Sequence, residues 1–249
     1  MPSVLDIARY FLQLGAQTSG EAASVSSMKL QKLVYYAQGH HLSMFGTPLF
    51  LEPIEAWKYG PVVSEVYRGF KSYGSGPIPG AEGLVSVNIA DETRLLLDDV
   101  FADYAALTAL QLSRKTHGEL PWVTTWDGTR NKEIPRRCVQ DYFEKVSNSE
   151  LEDLADEGDL VLRGLLAERK HLPELIHFAR RELDNRFGPD AQMTLRGRVE
   201  PEEGDRYVTL YVQTSLPSEE ATLLRAAFDE QWWRDREGYG SLVINFELV

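Results

Sequence analysis

Apolar positions in the first half of the chain recur mainly at three- and four-residue spacing, with short extended runs between them. Val4, Ala8, Phe11 and Leu12 fall on one helical face, so a first helix is expected, capped by Ser3 and ended near Gly15. Leu30, Leu33, Val34, Ala37 and His41 mark one face of a second helix, opened by Ser26 or Ser27 and closed at Gly46, with Pro48 just beyond. Leu49-Phe50-Leu51 and the mixed run Ile54 to Trp57 predict a short strand pair. Tyr59-Gly60-Pro61 breaks that extended chain, after which Val62, Val66 and Phe70 restart a helical period. GSGPIPGAEG is turn-rich and predicts a surface loop. Further helices are expected from Asp91 through Tyr104, with Leu95, Val100 and Phe101 inward, then over ALTALQLSRKTHG, and from Pro135 to about Val146.

The pattern changes at SNSELEDLADEGDL, where acidic residues crowd together, and a charged helical connector or linker is expected there. Leu175, Ile176, Ala179 and Leu183 then mark a helix over Leu172 to Phe187, stopped by Gly188-Pro189. MTLRGRVEP and RYVTLYVQTS alternate apolar and polar residues around an EEGD hairpin turn, a helix capped by Ser218 follows, and SLVINFELV is a last alternating strand. The fold class read from this is α+β: a mostly helical N-terminal domain over residues 1–148 with a short strand pair, an acidic connector over 149–160, and a small α-β-β-α-β domain over 161–249.

Composition narrows the function classes. The chain has 249 residues, 43% hydrophobic, enough for a sizeable core, and no apolar run approaches the ~20 residues of a membrane span. Its N-terminal stretch lacks a basic lead, so an amphipathic helix is expected there and not a signal peptide. Cys138 is the one cysteine, which excludes an internal disulfide and suits a reducing, cytoplasmic setting. The net charge of −12 is uneven: residues 1–149 contribute −2 and residues 150–249 contribute −10. That acidic half disfavours DNA as a partner; it either keeps the protein soluble or steers a basic partner.

Several words of rare residues occur in one order: KLQKLVYYAQGHHL, Pro48-Leu49-Phe50, EAWKYGPVVSEVYRGFKSYG, then Leu112, Ser113, Thr116-His117, Pro121-Trp122 and Ile134-Pro135, with a closing helix through Tyr142-Phe143. Together they resemble the Panacea antitoxin domain, the SocA-like family, over roughly residues 3–146. The resemblance implies a bacterial or phage protein that neutralises a partner protein by direct binding, and implies no active site. The C-terminal domain lies outside it.

Candidate chemistry is thin by comparison. His40-His41 would draw a metal search, but adjacent helical residues point about 100° apart, and no second ligand pair accompanies them; one inward and one surface histidine are expected. His117 with Glu119 as a general base, or with Cys138 as nucleophile, lacks an orienting partner, so a structural histidine at a helix end is favoured over an enzyme. Gly74-Ser75-Gly76 fits no phosphate-binding motif. No cofactor or metal is expected. Trp57, Tyr59, Gly60 and Pro61 suit either core packing or a partner anchor, since Trp and Tyr are enriched in interface hot spots. His117 and Trp122 belong near a fold-defining or partner-facing surface. Trp232 and Trp233, adjacent on a helix, cannot both face one core, so one is exposed or covered by a partner or the other domain. The reading is a non-enzymatic antitoxin whose partner is a cognate protein toxin, basic if the acidic half steers it. Delivery of the toxin to a protease, or a phage-associated regulatory role, are the alternatives, and homo-oligomerisation stays open.

Overall fold

The computed structural model describes residues 2–80, 89–129, 131–156, 158–202, 204–236 and 241–248. It is an α+β protein that divides into two compact units, residues 1–143 and 144–249. The first unit is built around α2 (Ser27–Phe45). Ser26 caps this helix, and Gly46 closes it in the left-handed conformation at φ 68°. The spacing predicts one buried face, yet nearly every residue of α2 is buried, because α1 (Val4–Ala16), α3 (Ser64–Phe70), α4 (Asp91–Tyr104), α5 (Ala109–His117) and a β-hairpin surround it.

Its polar residues are what make that burial tolerable. Gln38 Oε1 accepts from the backbone N–H groups of Leu49 (2.8 Å) and Phe50 (3.2 Å), while its amide donates to Phe50 O. Leu49–Leu51 therefore do not form the expected strand: a side chain already takes the backbone groups a ladder would use. The strands are β1 (Ile54–Trp57) and β2 (Gly60–Val63), antiparallel, with a two-residue β3 (Lys132–Glu133) on the other side of β1. Tyr59-Gly60-Pro61 is thus not a break in extended chain but the hairpin tip running into β2. Pro61 is tolerated because β2 is an edge strand. Gln31 completes that edge by bonding both the N–H (2.8 Å) and the carbonyl (3.4 Å) of Val63.

Other expectations need smaller corrections. In α4 the inward residues are Leu96, Leu97, Val100 and Phe101, with Leu95 half-buried, and Asp91 is the first helical residue instead of the cap. Thr108 opens α5 with a capping box to Gln111. A short α6 (Leu120–Val123) stands in the loop that follows. Pro77 and Ile78 are tied to Ser26 and Val25, and Ile78 is buried, so that part of the turn-rich stretch is no free surface loop; its end lies outside the described residues.

α7 (Arg136–Glu152) continues past Val146 into the acidic segment. In the second unit Ser147 donates to the buried Glu174 at 2.6 Å, Glu150 pairs with His177 at 2.5 Å and Leu151 is buried, which gives this stretch a packed side. Two helices precede the strands where one is expected, α8 (Leu160–Glu168) and α9 (Leu172–Phe187). The sheet order is β4-β5-β6, with β4 (Gln192–Val199) antiparallel to β5 (Arg206–Thr214) and β6 (Leu242–Leu248) parallel to β5. α10 (Ser218–Phe228) lies in the crossover that a parallel pair requires. Ser218 is its first residue and makes no capping bond.

Candidate functional site

The rare-residue words converge on one buried polar cluster in the first unit, beneath the hairpin tip. Lys32 on α2 is almost wholly buried, and its Nζ donates to Pro61 O at 2.8 Å. Gly60 has φ 102°, and a Cβ there would stand 2.6 Å from both Lys32 Nζ and Thr116 Oγ1. Only glycine combines that backbone conformation with that closeness. Tyr36 donates to Glu119 Oε1 at 2.9 Å; the Tyr35 hydroxyl also faces this carboxyl, outside hydrogen-bond geometry. Tyr36 stacks on Tyr104 at 3.8 Å, and Phe143 packs edge-on against Tyr35, Tyr36 and His40.

Burial dominates the electrostatics. It pushes the Lys32 amine down to about 7, with Glu119 working the other way. It raises Glu119, opposed by Lys115 and the Tyr36 hydrogen bond. Both tyrosines are pushed up, by burial first and by the Glu119 charge second. His117 is lowered by burial and then by Lys32, and its ring stacks on Trp122 at 4.1 Å.

The same geometry holds the tip from outside. Ser113 Oγ donates to Tyr59 O at 3.0 Å, and Trp122 Nε1 donates to Trp57 O at 2.9 Å. Trp57 donates to Glu55 Oε2 and lies against Tyr67; Trp122 stacks on Trp126. Trp57 and Trp122 are half-buried, Gly60 and Pro61 buried, and Tyr59 exposed. The structure thus brings Trp57, Tyr59, Gly60, Pro61, His117 and Trp122 together. Sequence reasoning missed Lys32, Tyr36 and Gln31 as the parts that hold them, because polar residues inside a helical period carry no signal of an inward partner, and it weighed Glu119 only as a catalytic partner of His117.

Both histidines of the adjacent pair are buried. His40 Nε2 meets the Tyr104 hydroxyl at 3.0 Å, and His41 Nδ1 meets Thr47 O at 2.7 Å. The expected surface histidine is absent because α2 has no solvent face there. Among the described residues no group of three or more His, Cys, Asp or Glu side chains is placed to hold a metal ion. Cys138 is exposed on α7. Trp232 and Trp233 belong to the second unit, on a π-helical turn over Asp229–Trp233. Trp232 is buried against Phe228 at 5.4 Å and under Arg236 at 4.3 Å, while Trp233 is half-buried and stacks on Trp232.

Residues 30–123, which contain this cluster apart from Phe143 and Trp126, match the family described as Antitoxin SocA-like, Panacea domain. Those residues are similar to the Panacea domain. Over 50 residues the chain is also 48% identical to Antitoxin SocA of Caulobacter vibrioides (strain NA1000 / CB15N). That stretch is 20% of this chain and spans 27% of the length of that relative. No solved structure matches the chain. The match is narrower than the sequence words suggest, leaving α1, α7 and the second unit outside it. Among the described residues no helix is long and apolar enough to cross a membrane.

Proposed function

We propose that this chain is a cytoplasmic antitoxin that holds a cognate protein toxin inactive by direct binding, with no chemical step of its own. One observation carries the reading. Three polar groups of the Panacea region are bonded inside it, Lys32 to Pro61, Glu119 through Oε1 to Tyr36 and His40 to Tyr104, while His117 Nε2 and Glu119 Oε2 are buried without a hydrogen-bond partner and do not bond each other. What the bonded groups support is an exposed tip. A tip whose backbone is held by Lys32, Ser113 and Trp122 suits recognition, where preorganisation lowers the ordering cost of binding. The second unit, with its −10 charge, sets partner choice by steering a basic face of the toxin.

Co-expression with a neighbouring reading frame tests this. The neighbour is expected to arrest growth alone, to be tolerated beside this chain and to co-purify with it. Free growth of cells expressing the neighbour alone would sink the reading. A toxin whose level falls only when proteases are present would point to delivery for degradation instead of occlusion. Removing residues 160–249 is expected to change partner choice; unchanged choice and affinity count against the role given to the second unit.

A further inference from the structure

The hairpin tip and the adjoining α5–α6 segment expose four large apolar side chains: Tyr59 (60%), Leu110 (55%), Leu120 (54%) and Val123 (48%). They stand on a fixed base, because Ser113 holds the backbone of Tyr59 and Trp122 that of Trp57. The exposed charges of the same segments, residues 57–60 and 109–123, are Lys58, Arg114 and Lys115; the single acid there, Glu119, is buried and pairs with Lys115 at 3.8 Å, which leaves Lys58 and Arg114 as the cations a partner would meet first. On a chain of net charge −12 this is a local inversion of sign. Lys58 Nζ lies 5.4 Å from the Tyr59 ring centroid, so one cation already sits over the most exposed aromatic side chain.

We infer that this surface docks an acidic protein segment bearing apolar anchors, the part of the toxin that the Panacea domain grips. The inference rests on the direct-binding reading and names the chemistry of the partner at this site. Its apolar side chains supply burial, and its cations set orientation and encounter rate. A nucleic acid fits less well, since Leu110, Leu120 and Val123 offer nothing for bases to stack on. The two units then take opposite roles toward one toxin, the second attracting a basic face and the tip receiving an acidic segment.

Two synthetic amphipathic peptides provide the probe. They share one leucine-and-phenylalanine stripe, and the other face carries glutamates in one and lysines in the other. Titrated into the full chain and followed by tryptophan fluorescence, the glutamate peptide is expected to bind about tenfold tighter. Lys58→Glu with Arg114→Glu, both on exposed positions, is expected to erase that preference; Tyr59→Ala with Leu110→Ala is expected to weaken both peptides. Equal affinities, no binding, or displacement of the glutamate peptide by a single-stranded RNA would overturn the inference. Growth rescue is scored in parallel. Rescue that persists in the Lys58→Glu/Arg114→Glu chain refutes this surface and leaves neutralisation standing. A chain that prefers the glutamate peptide but never rescues refutes neutralisation and leaves the surface standing.

Discussion

Lys32 shows at the scale of one residue how the Panacea domain keeps its tip in place. Its pKa in the folded chain is about 7, below that of a free lysine, mainly through burial. The linkage follows from the sign. Between about 7 and the ordinary lysine value the unfolded chain holds a proton that the folded chain lacks, so stability rises with pH there; below about 7 the full cost of a buried cation applies. Lys32→Met removes this dependence. The stability difference between wild type and Lys32→Met, from denaturant unfolding at pH 7 to 9, is expected to move in favour of wild type by up to about 1.4 kcal/mol per pH unit. A difference that stays constant would show that Lys32 keeps its proton. Tyr36→Phe takes the donor from a buried carboxyl, so a loss of about 1–3 kcal/mol is expected in the same measurement. None of this was legible in KLQKLVYYAQGHHL, where the period gives a buried face but not a lysine bonded to a proline carbonyl.

Among elements, two glycines set how helices pack. A Cβ on Gly39 would lie 2.2 Å from the Phe143 ring, so α2 admits the aromatic of α7 only because position 39 has no side chain. Gly39→Ala is expected to cost about 1–3 kcal/mol through overpacking. Adding Phe143→Leu should recover part of that loss in thermal unfolding; no recovery would show that the strain lies elsewhere. In the second unit a Cβ on Gly197 would lie 2.3 Å from Leu162 N, so α8 rests directly on β4. Asp159 joins the two, accepting from Leu162 N at 2.8 Å and from Gly197 N at 2.7 Å. Asp159→Ala should therefore cost more than the ~1 kcal/mol of an ordinary helix cap, read as a lowered denaturation midpoint.

These contacts also explain what the sequence hid. α8 spans nine residues behind an acidic run, too short to be stable or conspicuous alone, and it forms because the sheet receives it. The long helices α1, α2 and α9 were legible because their caps and periods agree, as were the three strands of the second unit. The hairpin was misplaced by several residues because Leu49–Leu51 has a strand's composition, while Gln38 occupies its backbone.

For the whole molecule, charge is divided. A near-neutral N-terminal half carries the Panacea domain, and the last hundred residues carry most of the −12. If the second unit steers the toxin, association should slow as ionic strength rises, with dissociation changing much less. Stopped-flow mixing at two salt concentrations reads this directly; a salt-independent rate would leave the acidic excess with solubility alone. Of the candidate residues, Trp57 to Pro61 and Trp122 stood out separately because aromatic and turn residues are conspicuous, but nothing in the sequence brought them together. The local excess of cations was not legible, since Lys58, Arg114 and Lys115 are ordinary surface residues until folding bonds the hairpin tip to α5.

The most direct measurement adds the purified chain to its purified toxin, with no protease present, and follows the activity of the toxin. Direct neutralisation predicts a stoichiometric loss of activity that ends when the chain equals the toxin. Full toxin activity beside an excess of folded chain would contradict it.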